Sequence, residues 1–233
     1  MKISLVGIAG VPLGTHRVRD PRMDQADKLV KADKKVYAHV DVVGDGEAST
    51  ADAIVASPEG RLELIIRDLE FAEARLEHNP PDAEKAVIQK IKACLEAEQV
   101  VAKAGLTPEE LQAVDAHAFL TTKPVVVAEP ADVARFDDFL ARVVTEAGFI
   151  SFLTVGGSEN RAWLIRRGST AAEAGGAIHT DIHKGFIRAE IIGFADFIAA
   201  GGETQAKHAG KMRLETKVYV MQDYDLVNFR FNK

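Results

Sequence analysis

Two helical stripes separated by a double proline constrain the architecture of this chain more than any other feature. Leu62, Ile65, Ile66, Leu69, Ala72 and Leu76 recur at three- and four-residue intervals, and after Pro80-Pro81 a second stripe runs through Val87, Ile88, Ile91, Leu95 and Val101. That spacing lines one helix face with apolar side chains, and proline cannot continue a helix, so the segment at about 60–104 reads as a helical hairpin. Its seven-residue spacings favour antiparallel coiled-coil packing, each arm reaching roughly 25 Å at 1.5 Å per residue. Gly105 is placed to end the second arm, and Thr107-Pro108-Glu109-Glu110 has the form of a capping box that starts another helix.

The flanks follow other periods. Ile3 to Val6 is a buried-strand pattern ending in the turn residues Gly7, Gly10, Pro12 and Gly14. Arg22 to Lys31 carries Met23, Ala26 and Leu29-Val30 at helical intervals, and Val36 to Val43 alternates as a second strand. Lys123 to Ala128 is a third strand, followed by an amphipathic helix marked by Val133, Phe136, Phe139, Leu140, Val143 and Val144 and stopped by Gly148. Beyond it the pattern turns to strands at Ile150–Val155, Ala162–Ile165, Phe186–Ile192, Lys217–Met221 and Val227–Phe231, with one helical stretch at Phe194–Ala200. The expected class is α+β overall: an α/β region over 1–148 that contains the hairpin, then a β-rich domain over 149–233.

Composition narrows the function classes. With 47% hydrophobic and 27% charged residues the 233-residue chain is globular, and no apolar run approaches the ~18 residues of a membrane span. Cys94 is the single cysteine, which excludes an internal disulfide and a cysteine-based zinc cage. The start is too short in apolar residues for a secretory signal, so the reducing cytoplasm is the expected location, with no membrane partner. Net charge is -6, divided unevenly: residues 150–233 hold 11 Lys+Arg against 9 Asp+Glu, and residues 1–149 hold 18 against 26. A polyanion would meet the C-terminal part first.

The run Arg161-Ala162-Trp163-Leu164-Ile165-Arg166-Arg167-Gly168-Ser169, then Ala177-Ile178-His179-Thr180-Asp181 and Lys184 to Glu190, resembles the TGS domain at the end of the YchF / Obg-like ATPase family. Asp196-Phe197-Ile198, Gly201-Gly202, Ala206-Lys207, Ala209-Gly210-Lys211, Arg213-Leu214-Glu215, Gln222-Asp223 and Asn228 to Asn232 extend the likeness. The resemblance implies a ubiquitin-like β-grasp fold and RNA- or ribosome-linked regulatory work. Upstream, Asp20 to Asp24 with Lys34-Lys35-Val36, Arg67 to Glu77, and Phe119 to Val125 are similar to the same family, so that nearly the whole chain is covered and residues 1–148 resemble a trimmed G domain with a coiled-coil arm.

The family's nucleotide elements are degraded. A P-loop needs G-x-x-x-x-G-K-[ST], whose amides cradle phosphate while lysine reaches the terminal phosphates and the hydroxyl holds magnesium. In Gly10-Val11-Pro12-Leu13-Gly14-Thr15-His16-Arg17 the glycines are one residue too close, no lysine follows Gly14, and Asp20-Pro21 arrives early. Asp41-Val42-Val43-Gly44 keeps the D-x-x-G form, but only Asp45-Gly46-Glu47 stands where the family has a long glycine-rich switch, and Val127-Ala128-Glu129-Pro130 lacks asparagine for the purine. A lost P-loop is therefore expected, with no cofactor and no enzyme activity. The alternative is a divergent ATPase or GTPase that takes ATP or GTP with magnesium at Gly10, Gly14, Thr15, Asp41 and Gly44.

Arg161, Arg166, Arg167, Lys184, Arg188, Lys207, Lys211 and Arg213 form the cationic set for phosphate-backbone contacts with RNA, the ribosome or a translation-linked protein. Trp163 and Phe186 are read chiefly as core and only secondarily as base-stacking groups. His179, Asp181 and His183 would share one strand face, a divalent-metal spacing, yet no fourth ligand is apparent and a structural role in turns is preferred, so no metal is expected. No serine or cysteine sits in a nucleophile motif.

Overall fold

The computed structural model describes residues 1–232. In chain order the elements are β1 (Lys2–Val6), β2 (Gly14–Val18), α1 (Pro21–Leu29), β3 (Lys34–Val36), β4 (Ala38–Val43), β5 (Ala53–Ala56), α2 (Pro58–Glu77), α3 (Asp82–Glu96), α4 (Pro108–Val114), β6 (Val125–Val127), α5 (Pro130–Val133) and α6 (Phe136–Glu146). Then come β7 (Phe149–Thr154), β8 (Glu159–Arg166), α7 (Ala171–Ile178), α8 (Thr180–Lys184), β9 (Phe186–Ile192), α9 (Phe194–Ala200), α10 (Glu203–His208), β10 (Arg213–Glu215) and β11 (Leu226–Phe231). Two compact units result, Met1–Thr15 with Asp41–Phe139, and His16–Val40 with the chain from Leu140 onward. The segment 16–40 thus counts with the second unit, where the sequence reading had placed it in a continuous region 1–148.

The first sheet has the order β2-β4-β1-β5-β6. β1 runs parallel to β4 and β5, and β5 parallel to β6. Parallel strands covered on both faces need continuous apolar runs, and Ile3 to Val6 and Ala53 to Ala56 are buried throughout. α2 starts at the Ser57 cap, whose hydroxyl accepts from the Gly60 amide at 2.9 Å, with Pro58 in its first turn. Leu64 packs with Val6, Ala48, Ile54 and Ala56. Ile65 and Ala72 meet Val87, Ile88, Ile91 and Leu95 of α3. The helical hairpin is therefore present, but Val114 of α4 and Phe119 close over the same stripe, and Val101 lies in a separate 3-10 turn after α3. Thr107 and Glu110 make both halves of the expected capping box.

In the second unit the sheet order is β10-β9-β11-β7-β8-β3. β7 and β8 form an antiparallel hairpin, β11 lies parallel to β7, and β9 pairs antiparallel with both β11 and β10. α7 is capped by Thr170 and Glu173 and packs Ala171 and Ala174 against Ile150, Phe152, Ile165, Ile191 and Phe229. Its small residues are required by close approach: a Cβ on Gly175 would stand 2.7 Å from the Ile182 side chain.

Three sequence expectations need correction. The strand read over Val36–Val43 breaks at Tyr37, so that β3 pairs with β8 in the second sheet and β4 with β1 in the first. Lys217–Met221 is no strand; only Val220 makes a bridge, to Thr170, because the segment turns over the start of α7, where Tyr219 and Lys217 carbonyls accept from Ala171 and Ala172. The stretch from His179 to His183 is helical, with His179 as the cap of α8.

Candidate functional site

The first glycine turn was the expected nucleotide loop. β1 ends at Val6, the chain turns through Gly7 and Gly10 at positive φ, and it re-enters strand at Gly14. The element that follows the turn along the chain is thus β2, where a phosphate-binding loop is followed by a helix. A Cβ on Gly10 or Gly14 would meet open space, whereas one on Gly7 would sit 2.6 Å from the Ser57 hydroxyl. Thr15 donates its hydroxyl to Asp41 Oδ1 at 2.6 Å, joining two of the five expected residues directly. The Gly44 carbonyl accepts from the Ser4 hydroxyl at 3.0 Å, and Arg67 makes a forked pair with Asp45 at 3.0 and 2.9 Å.

The cationic set does not act as one surface of free charges. Lys207 pairs with Glu203 at 2.6 Å, Lys211 with Asp196 at 3.1 Å and Arg161 with Glu159 at 3.1 Å. Arg213 donates to the Tyr219 hydroxyl at 3.0 Å, and the Arg166 guanidinium lies over the Phe149 ring. Arg167, Lys184 and Arg188 carry no ion pair among the described residues. Arg188 stands directly across from Arg230, which the sequence reading did not single out and which pairs with Glu190 at 2.9 Å. Trp163 stacks on Phe152 and donates to the Thr154 hydroxyl at 3.0 Å, and Phe186 packs on the same core. On the helical stretch that replaces the supposed strand, His179 Nδ1 accepts from the Asp181 amide at 3.2 Å. No group of three metal-binding side chains forms among the described residues.

Sequence reasoning missed the most elaborate polar cluster of the second unit. Arg22 places its guanidinium 3.7 Å from the centre of the buried Tyr224 ring and donates to Asp20 at 2.7 Å and Asp223 at 2.7 Å. Asp223 in turn accepts from the Ser151 amide at 3.0 Å. Burial and the neighbouring carboxylates push the Tyr224 phenol well above its ordinary value. Only the Asp20-Pro21 helix start was visible, because the partners lie about two hundred positions away.

Comparison with known proteins places these features. Residues 149–232 match the YchF-GTPase_C model, described as "Protein of unknown function (DUF933)". A "Ribosome-binding ATPase YchF" of Haemophilus ducreyi is 31% identical over 84% of this chain and 68% of its own length. The chain belongs to the YchF family. The relative of that name from Haemophilus influenzae is 34% identical over 73% of this chain, and the match spans 64% of that protein. The chain thus covers less than two thirds of this longer YchF relative. The solved Schizosaccharomyces pombe YchF GTPase shares the fold, with a TM-score of 0.78 at 21% identity over 99% of this chain and 97% of that one. Within the YchF-family chain the C-terminal match runs from β7 through β11 and leaves out the segment 16–40 that belongs to the same compact unit. No helix among the described residues is long and apolar enough to cross a membrane.

Proposed function

We propose that this YchF-family chain is a ribosome-binding regulatory protein that does not run a nucleotide cycle. The observation that carries the reading is β2, a strand where a phosphate-facing helix is required, in a loop with no lysine after Gly14. A triphosphate with magnesium fits these residues poorly. Losing a charge-assisted lysine contact alone costs roughly 1.5–3 kcal/mol, about ten- to hundredfold in affinity, and losing the helix N-terminus adds to it.

The ribosome side of the reading draws on the relatives' name, ribosome-binding ATPase. It also draws on a TGS-like β-grasp reading of the second unit. The strand sequence β8-β7-β11-β9-β10 with α7 between its first hairpin and β9 is the ubiquitin-like order. On this reading Arg167, Lys184 and Arg188 are the cations available to RNA phosphate, and the hairpin of α2 and α3 is a short coiled coil covered by α4 rather than a bare arm.

Titration calorimetry with ATP and GTP plus magnesium tests the first half: millimolar or absent affinity is expected, and micromolar affinity abolished by Asp41→Ala would overturn it. Cosedimentation with ribosomes tests the second, with binding at low salt that weakens as salt rises; its absence at low salt removes the ribosome. The Thr15–Asp41 bond favours one other reading, a divergent ATP- or GTP-binding pocket, and the same titration decides between them.

A further inference from the structure

The sheet of the second unit is incomplete on one side of β11. β9 pairs with β11 from Leu226 to Phe231, but β7 pairs with it only at Leu226, opposite Leu153, because β7 ends at Thr154. The Leu153 amide donates to the Asp225 carbonyl at 2.9 Å, which fixes the side of β11 that faces β7. Main-chain groups alternate sides along a strand, so Val227 and Phe229 direct theirs the same way. Past Thr154 no strand among the described residues is there to meet them. The Val227 carbonyl and both main-chain groups of Phe229 therefore open into a gap.

The gap has room and walls. A cleft of about 370 Å³ lies against this edge, with Thr154 and Val155 among its lining residues. Ile178 and Ile182, which pack with Val227 and Phe229, line it, as do Met212 and the Glu203–Lys207 ion pair. An open edge is a template for another strand, and unpaired main-chain groups in a half-buried slot are costly until they are met.

We propose that this edge of β11 takes up an extended peptide of a partner protein as an added strand in line with β7. Strand addition uses main-chain bonds for affinity and alternate side chains for selection. The lining sets the selection: it offers the apolar Ile178 and Ile182 of the core cluster and the charged Glu203 and Lys207 outside it, which suits a peptide of alternating apolar and polar residues. Arg167, Lys184 and Arg188 are not among the residues that line the cleft, and the proposal does not depend on ribosome binding.

The probe is a blocked hexapeptide of alternating valine and threonine, titrated into the full chain while amide hydrogen exchange is followed by NMR. In the free chain the Phe229 amide is expected to exchange readily, and the peptide is expected to slow it at least tenfold. The same peptide N-methylated at alternate residues, in both registers, is expected to leave the exchange unchanged. A Phe229 amide already protected in the dilute free chain would overturn the proposal, as would equal action of the methylated peptides or no effect at millimolar peptide. Protection of Phe229 that grows with protein concentration alone would assign the edge to a second copy and also overturn it.

Discussion

Asp68 is the buried carboxylate on which the end of the first unit's last crossover depends, and its replacement gives a stability change that can be worked out in advance. It lies on α2 at 4% exposure and accepts three hydrogen bonds, from the Leu120 amide at 2.9 Å, the Thr121 amide at 2.8 Å and the Thr121 hydroxyl at 2.7 Å. The Thr121 hydroxyl also accepts from the Val101 amide at 3.1 Å, so one carboxylate organises the chain before β6 and the turn after α3. Asp68→Ala leaves three donors without an acceptor, each costing about 1–3 kcal/mol where water cannot replace it. Ala regains roughly 0.5 kcal/mol of helix propensity and removes a buried charge, so a net loss of about 2–4 kcal/mol is expected. Asp68→Asn keeps one acceptor oxygen but turns an NH2 toward the donors, for about 1–3 kcal/mol. Urea unfolding followed by far-ultraviolet circular dichroism measures both. Burial raises the Asp68 carboxyl above its ordinary value against the opposing hydrogen bonds. The folded chain then holds that proton more firmly than the unfolded chain, and stability falls as pH rises from the ordinary carboxylate range through the folded pKa. Asp68→Asn removes that part of the slope. A loss below about 0.5 kcal/mol for Asp68→Ala would refute the reasoning, because it would mean the three donors find other partners at no cost.

Three further outcomes follow from other residues. Gly60→Ala, a change that normally stabilises a helix by up to about 1 kcal/mol, is expected to destabilise here, since its Cβ would stand 2.5 Å from the Val6 carbonyl oxygen; a raised urea midpoint would contradict the close approach. Arg22→Lys keeps the charge but loses the planar stack on Tyr224 and the forked donors, so about 1–2 kcal/mol is expected to be lost in the unfolding of the second unit, read by the fluorescence of Trp163, the single tryptophan; an unchanged midpoint would remove the stack as a contributor. All three tyrosines have phenols raised by burial, that of Tyr219 up to about 12 with help from the adjacent Asp225. The folded state retains these protons above pH 10, so stability falls as pH rises from about 10 through 12, and phenolate absorbance is expected to appear only with that loss; a phenol ionising near pH 10 with circular dichroism intact would refute it.

How far the sequence revealed the fold depended on whether the cause was local. Capping at Thr107, the proline-broken hairpin and the apolar run of β1 are short-range effects, and each stands where its residues predict; the four-residue run of β5 was not read. α7 was not read because its Ala- and Gly-rich sequence has no apolar stripe; it is a helix because Thr170 and Glu173 cap it and a tight seat against Ile182 demands small residues. Lys217–Met221 alternates like a strand, but its Tyr219 side chain is held by Asp225 at 2.9 Å and its main chain by the start of α7. At the candidate site, the missing lysine and shortened glycine spacing were legible, being simple absences from a pattern. The Thr15–Asp41 bond and the clamp of Arg22 on Tyr224 were not, because residues far apart in sequence carry no mutual signal in a single chain.

The break of Val36–Val43 at Tyr37 links the fold to the proposed loss of nucleotide cycling. Between Thr15 and Asp41 the chain must supply whatever follows the glycine turn, and in a phosphate-binding loop that is a helix whose first amides point at the ligand. Here those residues are committed elsewhere: Met23 and Ala26 of α1 are fully buried, Asp27 and the Val30 carbonyl hold the Asn160 side chain at 2.8 and 2.6 Å, and β3 extends the second sheet along β8. Lys35 and Tyr37 both bond Asp24, holding its carboxyl below the usual range and pinning α1 to β3. A segment whose apolar face, polar side chains and main chain are all engaged in the second unit cannot also wind into a helix behind Gly14. Restoring a lysine by Thr15→Lys alone is therefore expected to raise ATP affinity in calorimetry by no more than about a hundredfold, since it returns one contact and not the ring of amides. A gain of a thousandfold would show that the missing charge, and not the commitment of residues 16–40, is what limits binding.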